Sequence, residues 1–134
     1  MKKNPVVHFE MPAKDRERVK KFYEEAFGWG MQVMGEDFGN YVVATTTETD
    51  PKTTRPTTPG AINGGFFGYD EKTPGRNVPS VVISVDDINA AMEDIKKAGG
   101  TVEGEPQNIP GIGMWVVFTD SEGNRVSMLQ APVM

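Results

Sequence analysis

Apolar and polar positions along the chain change period several times, and the changes run in the same order twice. In VVHFEMP, residues 6–12, alternation puts Val7, Phe9 and Met11 on one wholly apolar face of a strand and Val6, His8 and Glu10 on the other. Helical spacing follows. Val19, Phe22, Tyr23, Ala26 and Phe27 fall at i, i+3, i+4, i+7 and i+8, with Asp15 placed to cap the helix and Gly28 to end it. The pattern then predicts a strand near 31–35, a turn at Gly39-Asn40, a strand over 41–46 and a glycine-rich strand over 61–69. These elements make one βαβββ unit.

From residue 80 the order recurs. SVVISV alternates as a strand over 80–85, and DDINAAMEDIKKAGG follows as a helix with Ile88, Ala91, Met92 and Ile95 on one face. Asp86 or Asp87 can cap that helix and Gly99-Gly100 stop it. A short strand at 101–103 and strands over 113–120 and 124–131 complete the second unit. The offset between the halves is nearly constant: His8 falls opposite Ser80, Gly28 opposite Gly100, and YVV at 41–43 opposite WVV at 115–117. Each unit can bury one sheet face under its helix, with the Met and Phe positions of both helices in the core. The other strand faces, His8 and Glu10 among them, are left to line a shared cavity. The expected organisation is one domain over 1–134, with module one at about 5–69, a linker over 70–79 and module two over 80–131. TETDPKTTRPTTPG, residues 47–60, reads as a solvated loop or lid.

Composition narrows the function classes. Among 134 residues there is no cysteine, which removes disulfides, thiolate nucleophiles and cysteine-based metal sites and suits a cytoplasmic setting. The N-terminal MKKNPVVHFE is too short and too polar for a signal-peptide core, and no membrane span is expected. A net charge of -5, with the 14 Lys and Arg dispersed, offers no basic face for nucleic acid.

HFEMP, ERVKKFYEEAFGW, VDDINAAMEDIKKAGG and DSEGNRVSMLQ, in that order and spacing, resemble the vicinal oxygen chelate superfamily. That superfamily includes lactoylglutathione lyases, extradiol dioxygenases, fosfomycin-resistance enzymes and bleomycin-binding proteins. Segments such as INGG and IPGIGMW resemble its small, poorly characterised glyoxalase-related members. The resemblance implies an α+β fold, with two tandem βαβββ modules forming a cupped, mixed eight-stranded sheet, helices on the outer face, and often a homodimer. Metal-dependent members place a divalent ion on a first-strand His, a fourth-strand Glu, a fifth-strand His and a last-strand Glu. Here those positions fall on His8, on Gly64 or Gly65, on Ser80 and on Ser127. Three of the four ligands are absent, and His8 with Glu10 offers at most two, so neither a metal nor another cofactor is expected.

The candidate chemistry follows. His8 and Glu10, about 7 Å apart along a strand, could move a proton on a carbonyl or related substrate, or could be a hydrogen-bonded pair without chemistry. Tyr41 and Trp115, at corresponding positions, could flank a ligand, with Phe66 contributing if it turns inward. Ser80 and Ser127 could hydrogen-bond that ligand; with one histidine in the chain, no conventional triad is available to activate either. Arg55 and Arg76 could attract a carboxylate or be solvated surface. The expected function is therefore small-molecule binding without the standard metal, a drug-sequestering dimer being one version. The alternative is a metal-independent lyase or isomerase using His8 and Glu10, and behind it stands a metal-dependent glyoxalase or dioxygenase.

Overall fold

The computed structural model describes residues 2–131, and among them are eight strands and two α-helices in the twice-repeated order β-α-β-β-β. The chain divides into two compact units: His8–Pro79 forms one, and the segment up to Val7 joins the chain from Ser80 onward in the other. Among the described residues no helix is long and apolar enough to cross a membrane.

In the first unit, β1 (Val6–Ala13, its first two residues counted with the other unit) leads into α1 (Arg16–Phe27), then β2 (Gly30–Val33), β3 (Val42–Thr45) and β4 (Asn63–Gly68). The strand order is β2-β3-β4-β1, with β1 parallel to β4 and the other pairs antiparallel. The Asp15 carboxylate caps α1 by accepting from the Arg18 N–H at 3.0 Å, and Gly28 ends it in the left-handed region at φ 70°. The Gly39-Asn40 turn is also present, both residues having positive φ.

Met31, Val42, Ala44 and Phe66 are buried beneath α1, with Phe9, Met11, Val19, Tyr23 and Trp29 packed around them. The apolar stripe of α1 is buried only in part. Phe22 is 56% exposed and Phe27 63%, contrary to the expectation that every Phe on the helices is core. Trp29 is responsible: past the Gly28 turn it stacks on Tyr23 with centroids 4.6 Å apart, and with Val19 and Tyr23 it covers the sheet. Phe22 and Phe27 are left packing against the outer side of Tyr23.

In the second unit, β5 (Ser80–Ser84), α2 (Ile88–Lys97), β6 (Thr101–Ile109), β7 (Gly113–Thr119) and β8 (Arg125–Gln130) give the order β5-β8-β7-β6. The parallel pair is β5 with β8. The Asp87 side chain caps α2, while Asp86 pairs with Lys2 at 2.9 Å. Ile88 and Met92 are buried, with Ala91 and Ile95 packed alongside them against Val116, Phe118 and Met128.

The strand expected over 101–103 runs on to Ile109. Gly104 and Pro106 would each interrupt a regular strand, and the chain absorbs them through a register shift between Glu103 and Gln107, with Gly104 at φ 70°. An edge strand tolerates such a bulge because one of its sides has no ladder to break. The 47–60 loop is more ordered than a plain solvated loop. Thr49 bridges Pro56, and the Asp50 carboxylate accepts from the Lys52 and Thr53 N–H groups. The 70–79 segment closes on itself through two hydrogen bonds between Asp70 and Asn77, both 2.8 Å.

Candidate functional site

Alternation assigns the faces. Because Phe9, Met11 and Ala13 pack under α1, His8 and Glu10 lie on the opposite face of β1. On β3, Val42 and Ala44 are core, so Tyr41 and Val43 share the His8 face. On β4 the glycines confirm the assignment. A Cβ on Gly64 would overlap the Phe9 ring, and one on Gly65 would overlap the Tyr41 ring. Phe66, the next residue along, is therefore turned toward α1; it is 2% exposed, and the expectation that it walls a ligand is corrected. One residue of phase on a strand reverses the face.

Glu10, Gly65 and Val43 form one cross-strand row in the first unit, and Val82, Ser127 and Val117 the corresponding row in the second. Gly65 and Ser127 thus occupy matching positions, while Tyr41 and Trp115 each stand two residues before the row's valine. The duplication read from spacing extends to single side chains.

Tyr41 reaches back from its own position, lays its ring over Gly65 and donates its hydroxyl to the Glu10 carboxylate. Burial raises the Tyr41 pKa, and the Glu10 charge and this hydrogen bond push it further the same way, so the phenol is neutral. Sequence reasoning weighs Glu10 as a partner for His8 and does not foresee the tyrosine at its side. Half-buried His8 has its pKa lowered from 6.5 by desolvation, which keeps the ring neutral at pH 7.

A pH dependence follows. The folded chain holds His8 neutral below the pH at which the unfolded chain would protonate it, so the unfolded state binds more protons. Stability from this group is complete above pH 6.5 and is lost as pH falls through the lowered folded value. Denaturant midpoints measured between about pH 5 and pH 7 should rise with pH, and His8→Gln should flatten that part of the slope. An unchanged slope in the variant would contradict the assignment.

In the second unit, the Ser80 hydroxyl donates to the Arg125 carbonyl at 2.8 Å, and Ser127 is 4% exposed. Trp115 is half-buried opposite Leu129 on the face shared with Ser127. Arg125, two residues before Ser127, pairs with Glu103 at 3.2 Å and leaves its buried Nε without a partner. Asn63, the in-register neighbour of His8, holds its Oδ1 against the Thr46 N–H at 2.8 Å. Sequence reasoning passes over both Asn63 and Arg125. The signal available is alternation, counted outward from Gly65 and from Ser127. Arg55 and Arg76 are exposed. Away from these residues, the first unit has a cleft of about 340 Å³ beside Lys14, Arg18 and Phe22, and the second one of about 170 Å³ beside Ile95, Phe118 and Asp120.

These donors do not fit the family's divalent ion. The resemblance puts the fourth-strand carboxylate on Gly64 or Gly65, where an added side chain would run into Phe9 or the Tyr41 ring, and the fifth- and last-strand positions carry hydroxyls. Among the described residues no three His, Cys, Asp or Glu side chains gather closely enough to hold a metal.

The sequence profile of the Glyoxalase/Bleomycin resistance protein/Dioxygenase superfamily matches residues 6–128, and the chain belongs to that superfamily. A glyoxylase-like domain-containing protein of Didymella fabae is 31% identical over 126 residues, spanning 92% of this chain and 91% of that protein. A hypothetical protein from Bacillus halodurans C-125 superposes with a TM-score of 0.69 at 13% identity, over 99% of this chain and 98% of that one. A singly substituted form of Streptomyces coelicolor methylmalonyl-CoA epimerase, solved with 2-nitronate-propionyl-CoA, gives 0.65 at 15% identity, over 96% and 97%. At these identities the two structures speak for the fold alone.

Proposed function

We propose that this chain binds an uncharged or weakly polar small molecule on the strand faces opposite its helices, without the divalent metal of its metal-dependent relatives. In the first unit His8, Glu10 and Tyr41 supply the polar contacts and aromatic surface of such a face, and the second unit carries Ser80, Trp115 and Ser127 as the candidates on its own. One observation carries the reading: the Tyr41 ring, tied to Glu10, fills the space over Gly65 that a metal-binding carboxylate would need. A face built this way has lost its Lewis acid and gained an apolar surface with a fixed carboxylate at its edge. Absence of cysteine suits work in a reducing cytoplasm, and the family resemblance extends the reading to a homodimer.

A CoA ester like the epimerase ligand fits less well. Such esters are polyanionic, and a chain with 14 basic residues against 19 acidic ones carries a net charge of -5 that disfavours them.

The test is elemental analysis of chelator-treated protein, then calorimetric titration of Mn, Ni, Zn and Fe(II) into wild type and His8→Ala. No stoichiometric uptake is expected. Stoichiometric uptake in wild type that disappears in His8→Ala would overturn the metal-free reading.

A second reading has its own support. Neutral His8 can accept a proton at pH 7, and Glu10 is held in place beside it on the same face, the two groups a metal-independent lyase or isomerase would use. His8→Ala separates the two. An enzyme loses turnover while remaining folded; a binder changes its ligand affinity and shows no turnover in either form.

A further inference from the structure

We propose that the outward face of α1 is the contact surface for a second copy of this chain, which lies antiparallel against it across a two-fold axis beside Phe22. The inference rests on the homodimer reading in that it names the surface, and it is independent of what the strand faces bind.

Phe22 and Phe27 are both more than half exposed, with their rings 6.5 Å apart between centroids, whereas no large apolar side chain of α2 is exposed in this way. A lone exposed apolar residue is ordinary. Two neighbouring aromatic rings beside a cleft, rimmed by charge, form the kind of patch that marks an interaction surface.

The order of charges says what covers it. α1 carries Arg16, Arg18, Lys20 and Lys21 in its first half, against the single acid Glu17, and its last turn holds Glu24 and Glu25 with no base. That order runs against the helix dipole, which favours anions at the N-terminal end and cations at the C-terminal end. The two ion pairs along the helix, Lys20–Glu24 at 3.4 Å and Lys21–Glu25 at 4.0 Å, also have the weaker orientation, with the base first. The repeat-related α2 follows the rule instead, capped by Asp87 and ending on Lys96 and Lys97. The charges of α1 therefore disfavour the helix by itself. An antiparallel copy reverses the balance, because each basic half meets an acidic half and each dipole meets its opposite.

Helical spacing gives the register. Arg18, Phe22 and Glu25 fall at i, i+4 and i+7 and share one face, with Arg18 and Glu25 about 10 Å apart along the axis and Phe22 near the midpoint. A two-fold axis at that point sets Phe22 against Phe22 of the second copy, Arg18 against its Glu25, and Glu25 against its Arg18. This is the self-complementary pattern that an isologous interface requires. Arg18 is available for it, since among the described residues its side chain makes no ion pair. The cleft beside Arg18 and Phe22, floored by Pro12 and Val19, then faces the end of the second copy's helix that carries Phe27.

The experiment is sedimentation of the full chain between about 10 μM and 1 mM, because a patch of this size makes a weak dimer whose population follows concentration. Wild type should associate reversibly. Phe22→Ser should weaken association about tenfold, and so should Arg18→Glu and Glu25→Arg, each of which opposes like charges twice across the axis. Mixed in equal amounts, Arg18→Glu and Glu25→Arg should associate again with about wild-type affinity, because both contacts are then between opposite charges. All three sites are on the surface, and the circular dichroism spectrum of each variant should match wild type. Association untouched by the three substitutions, or no recovery in a mixture of two folded variants, would overturn this surface while leaving the homodimer reading in place. A monomer across the whole range would overturn both and leave the α1 patch to a partner of another kind; the metal-free binding reading is untouched by either result.

Discussion

Phe66→Ala is expected to cost about 4 kcal/mol of stability and to lower the melting temperature by on the order of 15 °C. The ring is 2% exposed and meets Tyr23 at 5.2 Å and Phe9 at 6.3 Å between centroids, at the middle of the cluster beneath α1. Truncation removes the transfer energy of a buried aromatic and leaves a cavity among Phe9, Tyr23 and Val42 that strand backbones cannot collapse to fill. The neighbouring Phe67→Ala, on the opposite face and only half-buried, should cost much less. Chemical denaturation of the two variants checks the face assignment directly. A small loss for Phe66→Ala, with a large one for Phe67→Ala, would mean that β4 presents the opposite face and that Phe66 lines the ligand surface after all.

That contrast marks how far the sequence can be read. Both modules, both helix caps at Asp15 and Asp87, and the repeat offset are legible, because each rests on local periodicity or on a residue with one conformational role. The phase of β4 is not. In AINGGFFGY two adjacent phenylalanines follow two adjacent glycines, so alternation alone gives two equivalent answers; the choice is made by Phe9 and Tyr41, which come from other strands. Partial burial of the α1 stripe is hidden for a related reason. Period 3.6 puts Phe22 and Phe27 on the apolar side, but it carries no information about Trp29 folding back over Tyr23.

The site divides along the same line. His8, Tyr41 and Ser127 stand out by their positions in the repeat. Glu10 stands out as a carboxylate two residues from His8, but its tie to Tyr41 spans β1 to β3 across a glycine and leaves no mark in local sequence. Asn63 is in view within INGG, and only the parallel register of β1 with β4 brings it to His8. Long-range pairing is the layer that a single sequence withholds.

The paired glycines of β4 should respond differently to one added methyl group, and the difference tests the construction of the site. Gly64→Ala drives its Cβ into the carbonyl oxygen of Phe9 as well as its ring, so relief requires parting β1 from β4. We expect a loss of about 3 kcal/mol that no side-chain change at position 9 rescues, because the carbonyl remains whatever residue stands there. For Gly65→Ala the three nearest atoms all belong to the Tyr41 side chain. The ring can swing away, at a cost of about 2 kcal/mol and of its hydrogen bond to Glu10. In a Tyr41→Ala background the obstacle is gone, and Gly65→Ala should then be nearly neutral, giving a coupling of about 2 kcal/mol in a double-mutant cycle. Additive losses at positions 41 and 65 would show that the ring does not rest on Gly65, and the argument that it occupies the place of a metal ligand would fail with it. Coupling of the expected size would show instead that the family's ligand position has been converted into aromatic surface: Tyr41 needs a glycine beneath it, and while the ring stays there no carboxylate can return to β4.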